Sequence, residues 1–545
     1  MTRPGRRRPL ALVILAIAIA APGCGSGSKT SAIVAGGRFV DLQNFANGEP
    51  DHIDPALATS TQESQPGHLI FDGLTDVDYQ TGELKPMVAE SYTSNADASV
   101  WTFIIRSGVR WHNGEPVLAS DFKYAWERVA RAELASRVSY HLDPVKGKAA
   151  LAAGTATELA GVKADDAART LTVELEYPYS IFPATVAHLA FSPVPAKVLR
   201  ALPDQQAWEK GVMIGNGPFR MKEAWRPGDS ITLVRNDDFW GGLTGQKAHL
   251  DELVFKMSKD VGTAYSDFEA GNGHSAYVPA GLVEQARARY PNTIDRSVLG
   301  TYYYFFNMRD PVVGGEHNLK LREAVALAID RRAIVDSVYS GVRKVATGFV
   351  PPAMPGYAAG LDRQQGRDLE AAKAALREWG RPPPRLKLSF NADPDHKTIA
   401  LLVQGNLKEI GIESTLDEQP GRTYGSFLSS GGGQLTRTGF IADYVDYDGF
   451  MYPLFHSRAI GGDNHAQYSN PRFDALVDQA RRTTDAAARQ ALYRQAEQLM
   501  LEDQVVVPLN WYAGQIVYAG TVQNVVQSPL QFVAYEGVWL KAPNR

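Results

Sequence analysis

No single hydrophobic core accommodates 545 residues, because compact domains run ~50–250 residues. Two or more lobes are therefore expected. Nothing in the composition argues for an unusual class. A hydrophobic content of 44% and a charged content of 21% suit a folded soluble protein, and a net charge of -4 gives no reason to expect nucleic acid as a partner. Glycines and prolines are plentiful but spread out, which points to many turns rather than a low-complexity region. No internal repeat is evident.

The N-terminus reads as a separate device. Arg3, Arg6, Arg7 and Arg8 precede the apolar run LALVILAIAIAA, Leu10 to Ala21, and then APGCGSGS. A basic start, about a dozen apolar residues and a small-residue end describe a secretory signal, too short to span a bilayer comfortably. Export is expected, by the general or the twin-arginine route. Cys24, the only cysteine, follows directly. The stretch resembles a bacterial lipobox, with Ala21 where that box usually has Leu; the resemblance implies acylation of Cys24. Residues 1–23 are then a signal and 24–35 a flexible tether to a membrane surface.

The remainder mixes strand and helix signals without a strict βαβ rhythm. Val100 to Trp111 opens with β-branched and aromatic residues and turns at Ser107-Gly108. In LTVELEYP, Leu171, Val173 and Leu175 alternate with polar residues, as in a half-buried strand, and SITLVRN (Ser230 to Asn236) repeats the pattern. KLREAVALAIDRRAIVDSVYSG places Leu321, Val325, Ala328, Ile329 and Val335 near one face of a helix that stops at Gly341. DLEAAKAALREWG is helical too, as is the long segment after Pro471, with a break near Thr483. The fold class is mixed α/β (α+β), in more than one lobe.

Catalytic and cofactor motifs are missing: there is no G-x-x-x-x-G-K-[ST] loop, no G-x-S-x-G elbow, no H-E-x-x-H helix and no GxGxxG after a strand. The histidines are scattered, with none at i, i+4 ligand spacing, and the body has no cysteine to assist a zinc site. No metal and no cofactor is expected. The most chemically loaded stretch is TRTGFIADYVDYDGF, Thr436 to Phe450, where Asp443, Asp446 and Asp448 sit among four aromatics with Arg437 just upstream. Their spacing fits no common calcium loop. Catalytic carboxylates, a cation receptor and a solvated loop remain open on the residues alone.

Several stretches, in order, resemble the extracellular solute-binding protein family 5, the oligopeptide and dipeptide receptors of ABC importers. WTFIIRSGVRWHNGEPVLASDFKYAWERV (Trp101 to Val129), IGNGPFRMKEAWRPGDSITLVRNDDFW (Ile214 to Trp240), TYYYFFNM, LREAVALAIDRRAIVDSVYSG, ADYVDYDGFMYPLFHS and YSNPRFDALVDQA carry the likeness. Gly215 and Gly217 read as a hairpin corner, and Trp101, Trp111, Trp126 and Trp240 as core. The resemblance implies a two-lobed periplasmic-binding-protein flytrap with an additional inserted subdomain. Lobe I comprises 36–75, 205–298 and 515–545; lobe II, the insertion, 76–204; lobe III, 299–514. Crossing strands form the hinge and ligand lies in the cleft between lobes.

A peptide receptor must satisfy an ammonium, a carboxylate and a row of backbone groups. The resemblance gives the ammonium to Asp443 and the backbone pairing to the strand Gly439 to Ile441. Phe440 and Tyr424 become aromatic walls, and Arg437 and His396 receive the carboxyl terminus. Asp446 and Asp448 fall to turn or supporting roles. Where some relatives have an acid helping with the amino terminus, this chain has Thr59, followed by Ser60 and Thr61. The expected function is a non-enzymatic, monomeric, lipid-anchored receptor on the outer face of the cytoplasmic membrane, delivering peptides to an ABC permease and its ATPase. Haem, a metal chelate or an oligosaccharide is the alternative cargo within this fold, and a carboxylate-pair hydrolase the remote one.

Overall fold

The computed structural model describes residues 35–204, 208–362 and 366–541. The expected signal segment, Cys24 and all but the last residue of the tether lie outside the described residues. Among those described, no helix is long and apolar enough to cross a membrane.

One large sheet organises the molecule. Its strands are β1 (Arg38–Asp41), β2 (Phe219–Met221), β3 (Ser230–Arg235), β4 (Glu252–Lys256), β5 (Ser275–Tyr277), β6 (Thr293–Phe306), β7 (Leu386–Asn391), β8 (Ser414–Gln419), β9 (Leu435–Ile441) and β10 (Val506–Tyr518). They lie in the order β8-β7-β9-β6-β10-β5-β1-β4-β3-β2, with the short strand Lys344–Val345 also paired to β10. β6 and β10 are long enough to serve both halves. Their antiparallel ladder runs from Thr293 opposite Val517 to Ser297 opposite Ala513, breaks, and resumes with Thr301 opposite Trp511. On one side of that break the sheet packs on the cluster around Phe39, Leu253 and Phe255, and on the other on clusters around Tyr304, Val325 and Leu388 and around Phe349 and Phe455.

A second sheet belongs to the segment between β1 and β2. Ala89–Ser94, Val100–Ile105, Thr170–Glu174 and Val162–Asp165 pair antiparallel in that order. Val100–Ile105 and Thr170–Glu174 alternate buried and half-buried positions, the period-2 pattern of their sequences. The helix Ala119–Ala130 packs Phe122 and Trp126 beneath this sheet. Trp101 and Trp111 are buried as well, while Trp240 is partly exposed, donates its Nε1–H to Asp72 at 3.0 Å and lies under the Arg106 guanidinium.

Three local expectations need correction. β3 does not alternate, because it is an internal strand whose polar Ser230 and Thr232 are buried along with Ile231 and Leu233. The single helix expected up to Gly341 is two, Leu319–Ala328 and Arg331–Tyr339, since Asp330 leaves helical geometry to cap the second by accepting from the Ala333 amide. Gly215 and Gly217 are not needed for turn dihedrals. Added Cβ atoms would lie 1.9 Å from the Ile70 carbonyl oxygen and 2.5 Å from that of Leu69, so both positions admit the end of helix Thr61–Ile70 against the chain.

Candidate ligand-binding site

A cleft of about 920 Å³ lies against the ladder break, lined by the start of helix Thr61–Ile70, the inserted segment near His188, the end of β9 and the middle of β10. It brings Asp443, Arg437, His396, Phe440, Gly439, Ile441, Thr59, Ser60 and Thr61 to one space. Tyr424 is the exception.

Asp443 directly follows the β9 segment, with a side chain only 14% exposed. No lysine or arginine among the described residues pairs with it. Its partner is the Tyr140 hydroxyl, 3.2 Å from Oδ2, but that hydroxyl is also 2.8 Å from Asp463 Oδ2, and one O–H proton serves only one acceptor at a time. Burial, and then the nearby Asp463 charge, hold the Asp443 pKa well above the usual carboxylate range. This corner is short of positive charge.

The backbone beside it is open. The Ala442 amide donates to the Leu299 carbonyl at 2.8 Å, so in the antiparallel ladder Ala442, Phe440 and Thr438 turn their amide groups toward β6. Gly439 and Ile441 must turn theirs to the other side, where β7 stops pairing at Thr436. The resulting edge faces the cleft. Gly439 is dictated by close approach: the Tyr512 hydroxyl sits 1.8 Å from where a Cβ would stand. Phe440 lines the cleft and packs edge-on against Phe450, with centroids 5.8 Å apart.

At the other end, Arg437 lays its guanidinium 4.6 Å over the Tyr302 ring and donates to Asn391 Oδ1 at 2.8 Å, while its buried Nε has no partner among the described residues. No described carboxylate pairs with it. His396 Nδ1 lies 3.3 Å from the Tyr302 hydroxyl. Burial, aided by Arg437 and Arg343, pushes its pKa well below 6.5, so the second basic position expected from the sequence is a neutral hydrogen-bonding group. Arg343, which also lines the cleft over the faces of Tyr339 and Tyr512, supplies the second cation here and was not anticipated.

Two further placements differ from expectation. Tyr424, expected as a wall, is 7% exposed and spends its hydroxyl on the Arg437 carbonyl, bracing β9 from outside the cleft. Ser60 is the N-cap of helix Thr61–Ile70. Its Oγ accepts from the Glu63 amide, and the Glu63 carboxylate accepts from the Thr59 and Ser60 amides and the Thr59 hydroxyl. The acid missing at Thr59 is thus supplied three residues into the helix, but it is consumed by the cap. Of the other two acids, Asp446 accepts from the Asp448 amide in a turn, while Asp448 is fully buried and accepts from the hydroxyls of Tyr179, Tyr444 and Tyr493 at 2.6 Å each.

Comparison with known proteins decides the family. The sequence pattern described as "Bacterial extracellular solute-binding proteins, family 5 Middle" matches residues 83–462. The chain belongs to this family. Among family 5 proteins, it is 30% identical over 534 residues to the dipeptide-binding protein DppE of Bacillus subtilis, covering 93% of each chain. It is 28% identical over 535 residues to the periplasmic oligopeptide-binding protein OppA of Salmonella typhimurium, covering 94% of each. Among solved structures, the murein tripeptide binding protein MppA of Escherichia coli superposes with a TM-score of 0.83 at 26% identity, over 93% of this chain and 99% of that one. The mixed α/β fold is that of the periplasmic solute-binding proteins, and the family is a binding family rather than a catalytic one.

Proposed function

We propose that this family 5 protein captures short peptides in the cleft and presents them to an ABC permease. The observation that carries the reading is the adjacency of an open strand edge, Gly439 and Ile441, to a buried carboxylate without a cation, Asp443. An extended peptide adding to that edge gains backbone hydrogen bonds whatever its sequence. Its ammonium gives Asp443 the positive charge that the corner lacks. Its carboxylate meets Arg437, with Arg343 and neutral His396 alongside. The six residue steps from Arg437 to Asp443 span about 20 Å of extended chain, which with side-chain reach suits peptides of ~3–5 residues. No feature of the cleft lining favours haem or a sugar over this reading.

In this account the lobes are those expected from the sequence, with the boundaries at 298/299 and 514/515 falling beside the break in the β6–β10 ladder. That break is the hinge. Acylated Cys24 tethers the monomeric receptor to the outer face of the cytoplasmic membrane, as the sequence ahead of it suggests. Calorimetric titration of ligand-free protein with tri- to pentapeptides tests the central point: Asp443→Ala should weaken binding about 100-fold or more, ~3 kcal/mol. Unaltered affinity refutes Asp443 as the amino-end receptor.

A further inference from the structure

The histidines show no ligand spacing in the sequence, yet the fold brings two of them beside the cleft carboxylate. His141 lies in the short helix Ser139–Leu142, and His188 just precedes Leu189–Phe191. Their rings stack with centroids 4.2 Å apart and planes 36° apart. One nitrogen from each and one Asp443 oxygen all lie within 4.8 Å of one another. His141 Nε2 is 3.5 Å from Asp443 Oδ2, close to the roughly 3.4 Å edge of a tetrahedron with metal–ligand bonds of about 2.0–2.1 Å.

His141 is 4% exposed, and its Nε2 has no hydrogen-bond partner among the described residues. A buried, orphaned nitrogen aimed at a carboxylate is an unusual thing to leave unexplained. The Tyr140 hydroxyl lies 3.2 Å from the same Asp443 Oδ2 and 2.8 Å from Asp463 Oδ2, so it links the proposed ligand to a second carboxylate that adds negative charge.

We propose that His141, His188 and Asp443 bind one divalent transition-metal ion of the zinc or nickel class, occupying the carboxylate that a peptide ammonium otherwise takes. Two imidazoles and one carboxylate suit such ions better than calcium or magnesium, which prefer oxygen shells. Three protein ligands leave a position open to water. The two imidazoles come from the segment between β1 and β2, and Asp443 follows β9, so the ion staples these parts together without peptide. His188 Nδ1 accepts from the Ala190 amide at 3.2 Å; ligation through Nε2 moves the ring proton to Nδ1 and gives up that bond. His188 is therefore the weaker ligand of the two. Competition with peptide rests on the reading of Asp443 given above, whereas metal binding itself does not.

The test is calorimetric titration of untagged, chelator-stripped, ligand-free protein with zinc chloride and, separately, nickel chloride. One ion per chain is expected, with at least tenfold weaker binding in His141→Gln, a smaller loss in His188→Gln, and no specific binding in the double variant. Thermal melts of the metal-free variants establish that each is folded. Zinc should raise the apparent peptide Kd of the wild type and leave that of the double variant unmoved. Peptide titrations in excess chelator report on the amino-end reading alone, so the two proposals fail separately. Absence of binding of both zinc and nickel to the wild type, or equal binding by the folded double variant, overturns the site.

Discussion

Asp443 carries a conflict between stability and function that a single substitution exposes. Its pKa in the ligand-free fold is raised above the ordinary carboxylate value by burial and by Asp463. A raised pKa means that its contribution to stability is fully present below the ordinary carboxylate range and is lost as pH rises through the raised value. Wherever the acid is ionised its charge burdens the empty fold, so Asp443→Asn should stabilise ligand-free protein increasingly as pH rises through the raised pKa, while removing peptide affinity. Urea unfolding at pH 7 and pH 4 checks this, with the gain shrinking at the lower pH. Peptide affinity has the opposite dependence: ammonium needs the ionised acid, so binding should weaken by up to about tenfold per pH unit as pH falls through the raised pKa, and it should release protons in calorimetry. Gly439 makes a steric prediction. A methyl group there meets the Tyr512 hydroxyl at 1.8 Å, and Gly439→Ala should cost about tenfold in peptide affinity as Tyr512 is driven into the cleft.

At the scale of elements, the site is the end of β9 held in register between a long neighbour and a braced outer edge. Arg437, Gly439 and Asp443 are close in sequence, so GFIADY could be read as one functional strand end once the family resemblance was in view. The charge-poor corner could not, because Tyr140, His141 and Asp463 reach it from distant segments. The place of Tyr424 is hidden for a related reason: an aromatic residue that braces a cleft strand and one that lines the cleft have the same local pattern, and it is the hydroxyl bond to the Arg437 carbonyl that shows the bracing contact. The mid-helix break at Asp330 was hidden because the apolar period runs through it, while the cap that causes it is a single carboxylate bond. Asp448 ties elements together. It heads helix Asp448–Phe455, accepts from Tyr179 of the inserted segment and Tyr493 of helix Ala486–Glu502, and faces Arg481 at 3.4 Å. Asp448→Ala leaves buried donors and a guanidinium unpaired and should cost about 3–5 kcal/mol in urea unfolding, far more than the same change at the turn residue Asp446.

For the whole molecule, the two ends of the cleft are held by Arg437 on β9 and Asp443 just beyond its end, and the space between them abuts the wider of the two register shifts in the strands that cross between halves. Peptide bound there bridges both halves, so binding should favour the closed arrangement. Small-angle scattering of ligand-free protein should report a smaller radius of gyration on adding a tripeptide, and no change with Asp443→Ala at the same peptide concentration. The most direct test removes the ligand's charge rather than the protein's. A tripeptide and its amino-acetylated twin, titrated calorimetrically into wild type and Asp443→Ala, form a double-mutant cycle across the proposed ammonium–carboxylate contact. The account predicts that acetylation costs the wild type about 100-fold in affinity and Asp443→Ala less than about threefold. Equal losses in the two proteins would contradict it.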